Sequence, residues 1–346
     1  MSTTPTGLSG RRRRRVRRWL AVVLLLAALA ASATAEAQRQ WVVAFANVTE
    51  EPGVTVEGTG FTGAEIRESF KLAARQFPID LVLYDNQRND AKAVANAEAA
   101  IGRKVDLYIA YHRGPAANAT IAQKLKAAGI PVLAINEPVP GAPLYTLDNA
   151  AAGRLAGEAL AQFAGRTWAN QPTVAVVIGR IAAASERVPE RVQGVTDALR
   201  ARLPAARLTT LDTQGNPAQV ASLLGAFLAA QPGKKVLVAA TDDATALAAK
   251  SAIESAGRTR DAVIVGQGVD RNIHGGANDR KELDPSNRGS IVLGSVAFYL
   301  DRMGYEVLPL AVKVLRGEPV PPRTVTPHKL VTAANVFVEY PPSDMN

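Results

Sequence analysis

The chain contains no cysteine among its 346 residues. That excludes disulfides, thiolate metal centres, a cysteine nucleophile and a lipid-modified cysteine. Aromatic residues make up only 5%, too few for a stacking platform along single-stranded nucleic acid. The three histidines, His112, His274 and His328, lie far apart and lack metal-binding spacing of the H-E-x-x-H type. There is no G-x-S-x-G elbow and no G-x-x-x-x-G-K-[ST] loop. Catalysis therefore has no motif behind it, and no cofactor or metal is expected.

Acidic residues are the minority, 31 against 40 Lys and Arg, for a formal charge of +9. The imbalance is local. Residues 1–37 hold seven arginines and one acid, Glu36, so they carry +6, and the remaining chain carries only +3. A surface for nucleic acid needs clustered basic residues across a folded face, and the body of the chain has no such block. The leader instead has a basic stretch from Arg11 to Arg18, an apolar run from Trp19 to Ala31, and A-x-A sites at 33–35 and 35–37. That order is a secretory signal peptide. Beyond it no apolar run is long enough to span a bilayer. Residues 1–37 are expected to be removed, leaving a soluble protein of the periplasm.

What is present in the body is alternation. Apolar runs at Trp41–Ala46, Ile79–Tyr84, Val105–Ala110 and Pro131–Ile135 are separated by amphipathic stretches near 63–76, 90–102 and 115–128. The scheme repeats with Thr173–Ile178, Arg207–Leu211, Lys235–Ala240 and Ala262–Val265, and helices near 150–165, 186–203, 217–230 and 243–257. Continuous apolar strands alternating with helices predict an α/β chain with parallel sheets covered on both faces, in two similar lobes. The tail adds a strand at Ile291–Phe298, a helix at 301–316, a proline-stiffened connector at Pro319–Pro322, and short β segments at Lys329–Thr332 and Val336–Tyr340. Residues 271–290 are polar and glycine-rich, hence a surface loop.

One motif invites a wrong conclusion. Gly58, Gly60 and Gly63 form a G-x-G-x-x-G before a helix, with Asp85 beyond it at a strand end. A dinucleotide fingerprint requires the glycines to follow the strand directly. Here Asn47–Glu57 intervenes, so a flexible loop is expected. Asp242 and Asp243 stand at a strand-to-helix junction, where an N-cap explains them better than a catalytic carboxylate pair.

Ligands of parallel α/β sheets bind beyond the carboxyl ends of the strands. Those ends offer Asn47 and Glu50, then Tyr111 and His112, then Asn136 and Glu137 in the first half, and Thr241 and Gln267 in the second. Hydrogen-bonding groups of this kind suit a hydroxyl-rich small solute held between lobes. For His112, surface solvation is the simpler alternative.

A colinear set of strings carries a family resemblance. Tyr84–Asp90 is followed by Val105-Asp106-Leu107, Leu147-Asp148-Asn149 and Gly153–Gly157. Glu190-Arg191-Val192-Gln193-Gly194, Thr241–Leu247, Ala256-Gly257, Val263–Gly266, Met303-Gly304-Tyr305 and Leu315–Pro321 continue it in order. In this the sequence resembles the type I periplasmic solute-binding proteins of the ribose- and galactose-binding branch, which deliver ligands to ABC importers. The resemblance covers nearly all of 41–335. It implies two Rossmann-like lobes joined by three crossovers, near 147–149, 295–298 and 326–328. The lobes would be 38–148 plus 298–327 and 149–297 plus 328–346. It further implies a monomer that closes on a carbohydrate-like solute, partners an ABC permease in the inner membrane, and makes or breaks no bond. Arg191 matches the family's sugar-binding arginine, and Phe298 lies near its hinge glutamine. Asn136-Glu137 replaces an Asp-Arg pair, Thr241 stands where asparagine is common, and Gly268 lies near an expected aspartate. Ribose itself is therefore not the expected ligand. The same scaffold also serves ligand-presenting partners of membrane sensors and, with a DNA-reading segment this chain lacks, the lactose-repressor family. A secreted enzyme is the remaining alternative.

Overall fold

The computed structural model describes residues 40–182, 187–274 and 281–341, so the leader lies outside the described residues. The first half runs β1 (Trp41–Asn47), α1 (Gly63–Ala74), β2 (Ile79–Asp85), α2 (Asp90–Gly102), β3 (Leu107–Ala110), α3 (Pro115–Ala127), β4 (Val132–Ile135) and β5 (Leu144–Thr146). The second runs α4 (Asn149–Thr167), β6 (Thr173–Gly179), α5 (Val188–Arg202), β7 (Arg207–Asp212), α6 (Val220–Ala229), β8 (Lys235–Ala240), α7 (Asp243–Ser255) and β9 (Ala262–Gly268). The tail contributes α8 (Arg271–His274), β10 (Val292–Ala297), α9 (Met303–Leu315), β11 (Arg323–Val325), β12 (Leu330–Val331) and α10 (Val336–Glu339).

These strands form two six-stranded sheets, ordered β11-β5-β4-β3-β1-β2 and β12-β10-β9-β8-β6-β7. Every pairing is parallel except β10 with β12. Period-two alternation explains how each sheet is covered twice. In β1, Val43 and Phe45 join the core with Ile66 and Phe70 of α1 and Val307 of α9. Ala44 and Ala46 face Ala93 and Ala97 of α2 and Ile121 of α3. In β6, Val174, Val176 and Ile178 pack with Leu224 of α6 and Ala249 of α7, while Ala175 and Val177 join the core of α4. The helices are capped as their sequences suggest. Thr62 and Glu65 form a capping box on α1, Asn89 caps α2, and Asp242 caps α7.

The chain crosses between sheets three times: after Thr146, between Ala297 and Met303, and between Val325 and Leu330. The second crossing is slightly later than the expected 295–298. Two short parallel strands, β5 and β11, were not apparent in the apolar pattern. The stretch expected as β at Val336–Tyr340 forms the helical turn α10 instead, because Thr332 and Asn335 bond each other and Asn335 opens a turn, with Val338 and Glu339 amides donating to its carbonyl. The 271–290 stretch is not wholly a surface loop, since Ile273 and Leu283 are buried in the second core. Among the described residues no helix is long and apolar enough to cross a membrane.

Candidate functional site

The long connection from β1 to α1, residues 48–62, organises the space between the sheets. It is not flexible. Thr55 and Thr62 form an antiparallel bridge, and the Val56 amide donates to Phe61 O at 2.8 Å. The Thr59 hydroxyl donates to Val56 O at 2.9 Å, and the Val56 and Phe61 side chains are fully buried. The Arg88 guanidinium donates to Thr55 O at 2.9 Å from the β2 side. Gly63 permits this path, because a Cβ there would lie 1.6 Å from the Thr49 carbonyl oxygen. Gly63, the last glycine of the motif, therefore serves backbone approach, and the connection expected to be a flexible loop is bonded within itself.

At its middle the loop turns at Glu57 and Gly58, both left-handed at φ +56° and +59°. This turn places Glu57 between the carboxyl ends of the two sheets, where it is 5% exposed. Its carboxylate accepts a short hydrogen bond from the Tyr111 hydroxyl and one of 3.0 Å from the Arg113 guanidinium. Asn136 Nδ2 donates to the Tyr111 oxygen at 3.4 Å, so the hydroxyl proton is directed at Glu57. Burial, reinforced by the nearby Glu57 charge, pushes the Tyr111 phenol well above its ordinary range.

From the other lobe, Arg191 on α5 completes the arrangement. It has no solvent exposure. It donates to Glu57 O at 2.8 Å, Gly58 O at 2.9 Å and Thr241 O at 2.6 Å. It also makes bonds of 3.1 and 2.8 Å to Asn149 Oδ1. Its guanidinium lies 4.4 Å from the centroid of the Phe298 ring. Two further ion pairs join the lobes at the rim, Arg187 with Glu137 at 3.7 Å and Arg271 with Glu65 at 3.6 Å. Burial raises the Glu137 carboxyl above the usual range; Arg187 opposes this and Glu57 adds to it.

The three crossovers meet at His328. Its Nδ1–H donates to Ala297 O at 2.9 Å, and its Nε2 accepts the Asp148 amide at 3.1 Å. The ring also lies 4.7 Å from that of Phe298. One imidazole thus touches all three connecting segments, and it needs to be neutral to do so. Burial holds its pKa below the usual value, with the nearby Arg191 charge acting in the same direction.

The structure brings Tyr111, Asn136, Arg191, Thr241 and Phe298 around the Glu57 turn, with Glu137 at its edge. Asn47 and Gln267 are buried at their strand ends; Asn47 supports Gly63 O at 2.8 Å, and Gln267 donates to Ala240 O at 3.4 Å. Glu50 turns away, pairing with Arg67 of α1 at 2.6 Å. His112 is not solvated at the surface: it is 3% exposed and pairs with Asp90 at the start of α2 at 2.8 Å. Sequence reasoning singled out neither Glu57 nor Asn149 for this space. The available signal was an unusually long β1–α1 connection carrying buried Val56 and Phe61 on either side of the glycines. Asp243 does more than begin a helix: it is buried, and its carboxylate accepts from the Ser295 hydroxyl at 2.6 Å and the Asp270 amide at 2.9 Å.

A large surface cavity, about 610 Å³, lies elsewhere, beside Trp168, Pro172 and Leu203 below the amino ends of β6 and β7. Strand-end geometry favours the interlobe region over it. Among the described residues no group of three or more His, Asp and Glu could hold a metal ion.

The model of the periplasmic binding protein domain family matches residues 58–319. No curated protein matches the sequence. Several solved structures share the fold. An ABC transporter periplasmic solute binding protein from Actinobacillus succinogenes 130z, with bound D-allose, is 17% identical with a TM-score of 0.65, covering 86% of this chain and 98% of that one. An ABC transporter solute binding protein from Bacillus halodurans C-125, with bound myo-inositol, is 18% identical with a TM-score of 0.61, covering 88% and 99%. The fructose binding periplasmic domain of a hybrid two component system is 18% identical with a TM-score of 0.60, covering 86% and 93%.

Proposed function

The chain belongs to the periplasmic binding protein domain family, and from that premise we propose that it is the exported solute-binding component of an ABC importer. Its family and its structural neighbours are binding proteins, which points away from catalysis. The solute is small and polar, of the sugar or polyol class, and it binds between the lobes. The observation that carries this reading is the convergence of Tyr111, Asn136, Arg191 and Thr241 from the strand ends and α5 of both lobes on one interlobe space. Closure is a population shift: a solute touching both lobes favours the closed arrangement, and the three crossovers at His328 supply the hinge. The leader directs export and is cleaved, and the protein acts as a monomer docking on a membrane permease.

Thermal-shift measurements against sugars, polyols and sugar acids test the reading, since a ligand of the native state must raise the melting temperature. Failure of every such solute to do so would remove its support. The hybrid two component neighbour motivates a second reading, in which the loaded protein signals to a membrane sensor. Solute uptake by cells lacking the gene separates the two: uptake is lost in the first case and retained in the second.

A further inference from the structure

His328 lies where the three connections between the lobes come together, and two backbone partners fix its protonation by geometry. The Ala297 carbonyl can only accept, so Nδ1 carries a proton; the Asp148 amide can only donate, so Nε2 carries none. The neutral ring staples the third connection to both of the others. A proton added to Nε2 keeps the bond to Ala297 O but sets two donors face to face at Asp148. The first and third connections stay joined through Thr326, whose amide donates to Thr146 O at 3.0 Å and whose hydroxyl bonds that of Tyr145, also at 3.0 Å. Protonation thus loosens one staple of the hinge without unfolding it.

The same proton acts on the tie between the lobes. The buried Phe298 ring, in the second connection, lies 4.7 Å from the His328 ring and 4.4 Å from the Arg191 guanidinium. His328 and Arg191 are one aromatic ring apart, and Arg191 holds the Glu57 and Gly58 carbonyls of the first lobe. A second cation here repels the first in a space of low dielectric. Among the described residues Asp148 is the anion acting on the ring, and its carboxylate already accepts the Ala151 amide at 2.8 Å as the cap of α4. Lys329, the next residue, is exposed and paired with Glu339 at 2.9 Å. Burial and Arg191 outweigh Asp148, and the folded ring titrates below its ordinary value. Separation of the lobes frees Arg191 from the first-lobe carbonyls and admits water to both cations. The arrangement that hydrates the ring binds its proton more tightly, so by linkage acid favours that arrangement.

We propose that His328 is a proton-responsive staple of the hinge, whose protonation in mildly acidic surroundings separates the lobes and so releases the solute they hold. Solute release rests on the interlobe space being the binding site, as argued above; lobe separation is read without solute and stands or falls by itself.

The chain has no cysteine, so two introduced thiols can carry a donor and an acceptor dye without competition. Lys92→Cys on α2 and Ser222→Cys on α6 are exposed positions, one in each lobe. Energy transfer in the solute-free labelled protein is followed from pH 7.5 to pH 5. The ratio of separated to joined lobes should rise by up to about tenfold per pH unit, the limit for one proton. His328→Gln can donate to Ala297 and accept from Asp148 without titrating, so its energy transfer should stay at the pH 7.5 level throughout. If that variant does not fold, the imidazole proton resonances of His328 in the unsubstituted protein must titrate with the same midpoint as lobe separation. Constant energy transfer in the parent, a shift retained by His328→Gln, or midpoints that differ would each overturn the inference. Loss of the shift in Glu137→Gln but not in His328→Gln would assign it to the Arg187–Glu137 rim pair and overturn it equally.

Discussion

Arg191, on helix α5 of the second lobe, donates at 2.8 Å to the backbone carbonyl of Glu57 in the first lobe. The bond ties a fully buried cation to a peptide oxygen 134 residues earlier. It makes the loop after β1 part of the contact between the lobes. It also engages with backbone oxygens the arginine whose position in the sequence resembles the family's sugar-binding one.

Replacing Arg191 with Met strands the oxygens of Glu57, Gly58, Thr241 and Asn149 without their donor. We expect a loss of about 3–5 kcal/mol in chemical denaturation, the range for breaking a buried charged network. Arg191→Lys keeps the charge but not the planar fork, so it should lose less and still fall clearly below the wild type. Small-angle scattering should show the Met variant expanded in solution, and unchanged dimensions with unchanged stability would contradict the assigned role.

Tyr111→Phe removes one donor to Glu57 and keeps the ring. The expected cost is about 1.5–3 kcal/mol, the usual worth of a hydrogen bond to a charged group. Because the phenol is held well above its ordinary range, the difference from wild type should be the same at pH 7 and pH 9. A difference that shrinks at pH 9 would show that the phenol ionises there.

His328 predicts a pH effect of defined sign. Its folded pKa lies below the ordinary value of 6.5, so the fold resists a proton that the unfolded chain accepts. Its contribution is fully present above the unfolded value and is lost as pH falls from there through the lower folded value. Protonation also removes the acceptor for the Asp148 amide at the first crossover. Melting temperatures from pH 7.5 to pH 5 should fall more steeply for the wild type than for His328→Gln, and parallel profiles would exclude the histidine as the cause.

Helices α4 and α5 approach through glycine. A Cβ on Gly194 would sit 2.2 Å from Ala150 O, and one on Gly153 would sit 2.0 Å from Arg191 O. Gly194→Ala should therefore destabilise by about 1–3 kcal/mol through forced backbone displacement. Gly225, inside α6, has nothing within 4 Å of the same position. Gly225→Ala should instead gain about 0.5–1 kcal/mol in helix propensity. Denaturation midpoints that moved the same way in both would contradict the packing argument.

Much of the fold was legible because its signals are local. Apolar runs such as Lys235–Ala240 and Ala262–Val265 are enough to declare buried parallel strands, and Thr62, Asn89 and Asp242 stand where helices begin. The three-residue strands β5 and β11 carried no such signal. Each is defined by its partners, as in the register of Arg323 with Leu144, across most of the second lobe. Val336–Glu339 has β-rich composition, yet α10 forms where the Thr332–Asn335 turn starts the chain coiling.

The sequence by itself determined the alternating α/β architecture, the family and the strand ends where a site could lie, because periodicity, caps and colinear motifs are properties of neighbouring residues. Only the tertiary structure decided how those ends are used. It turned Glu50 toward Arg67 and His112 toward Asp90, and it brought Glu57 between Tyr111, Arg113 and Arg191. No periodicity relates residues 134 positions apart. Their pairing depends on how two lobes and three crossovers fold back on one another, and on the left-handed turn that carries Glu57 into the space between them.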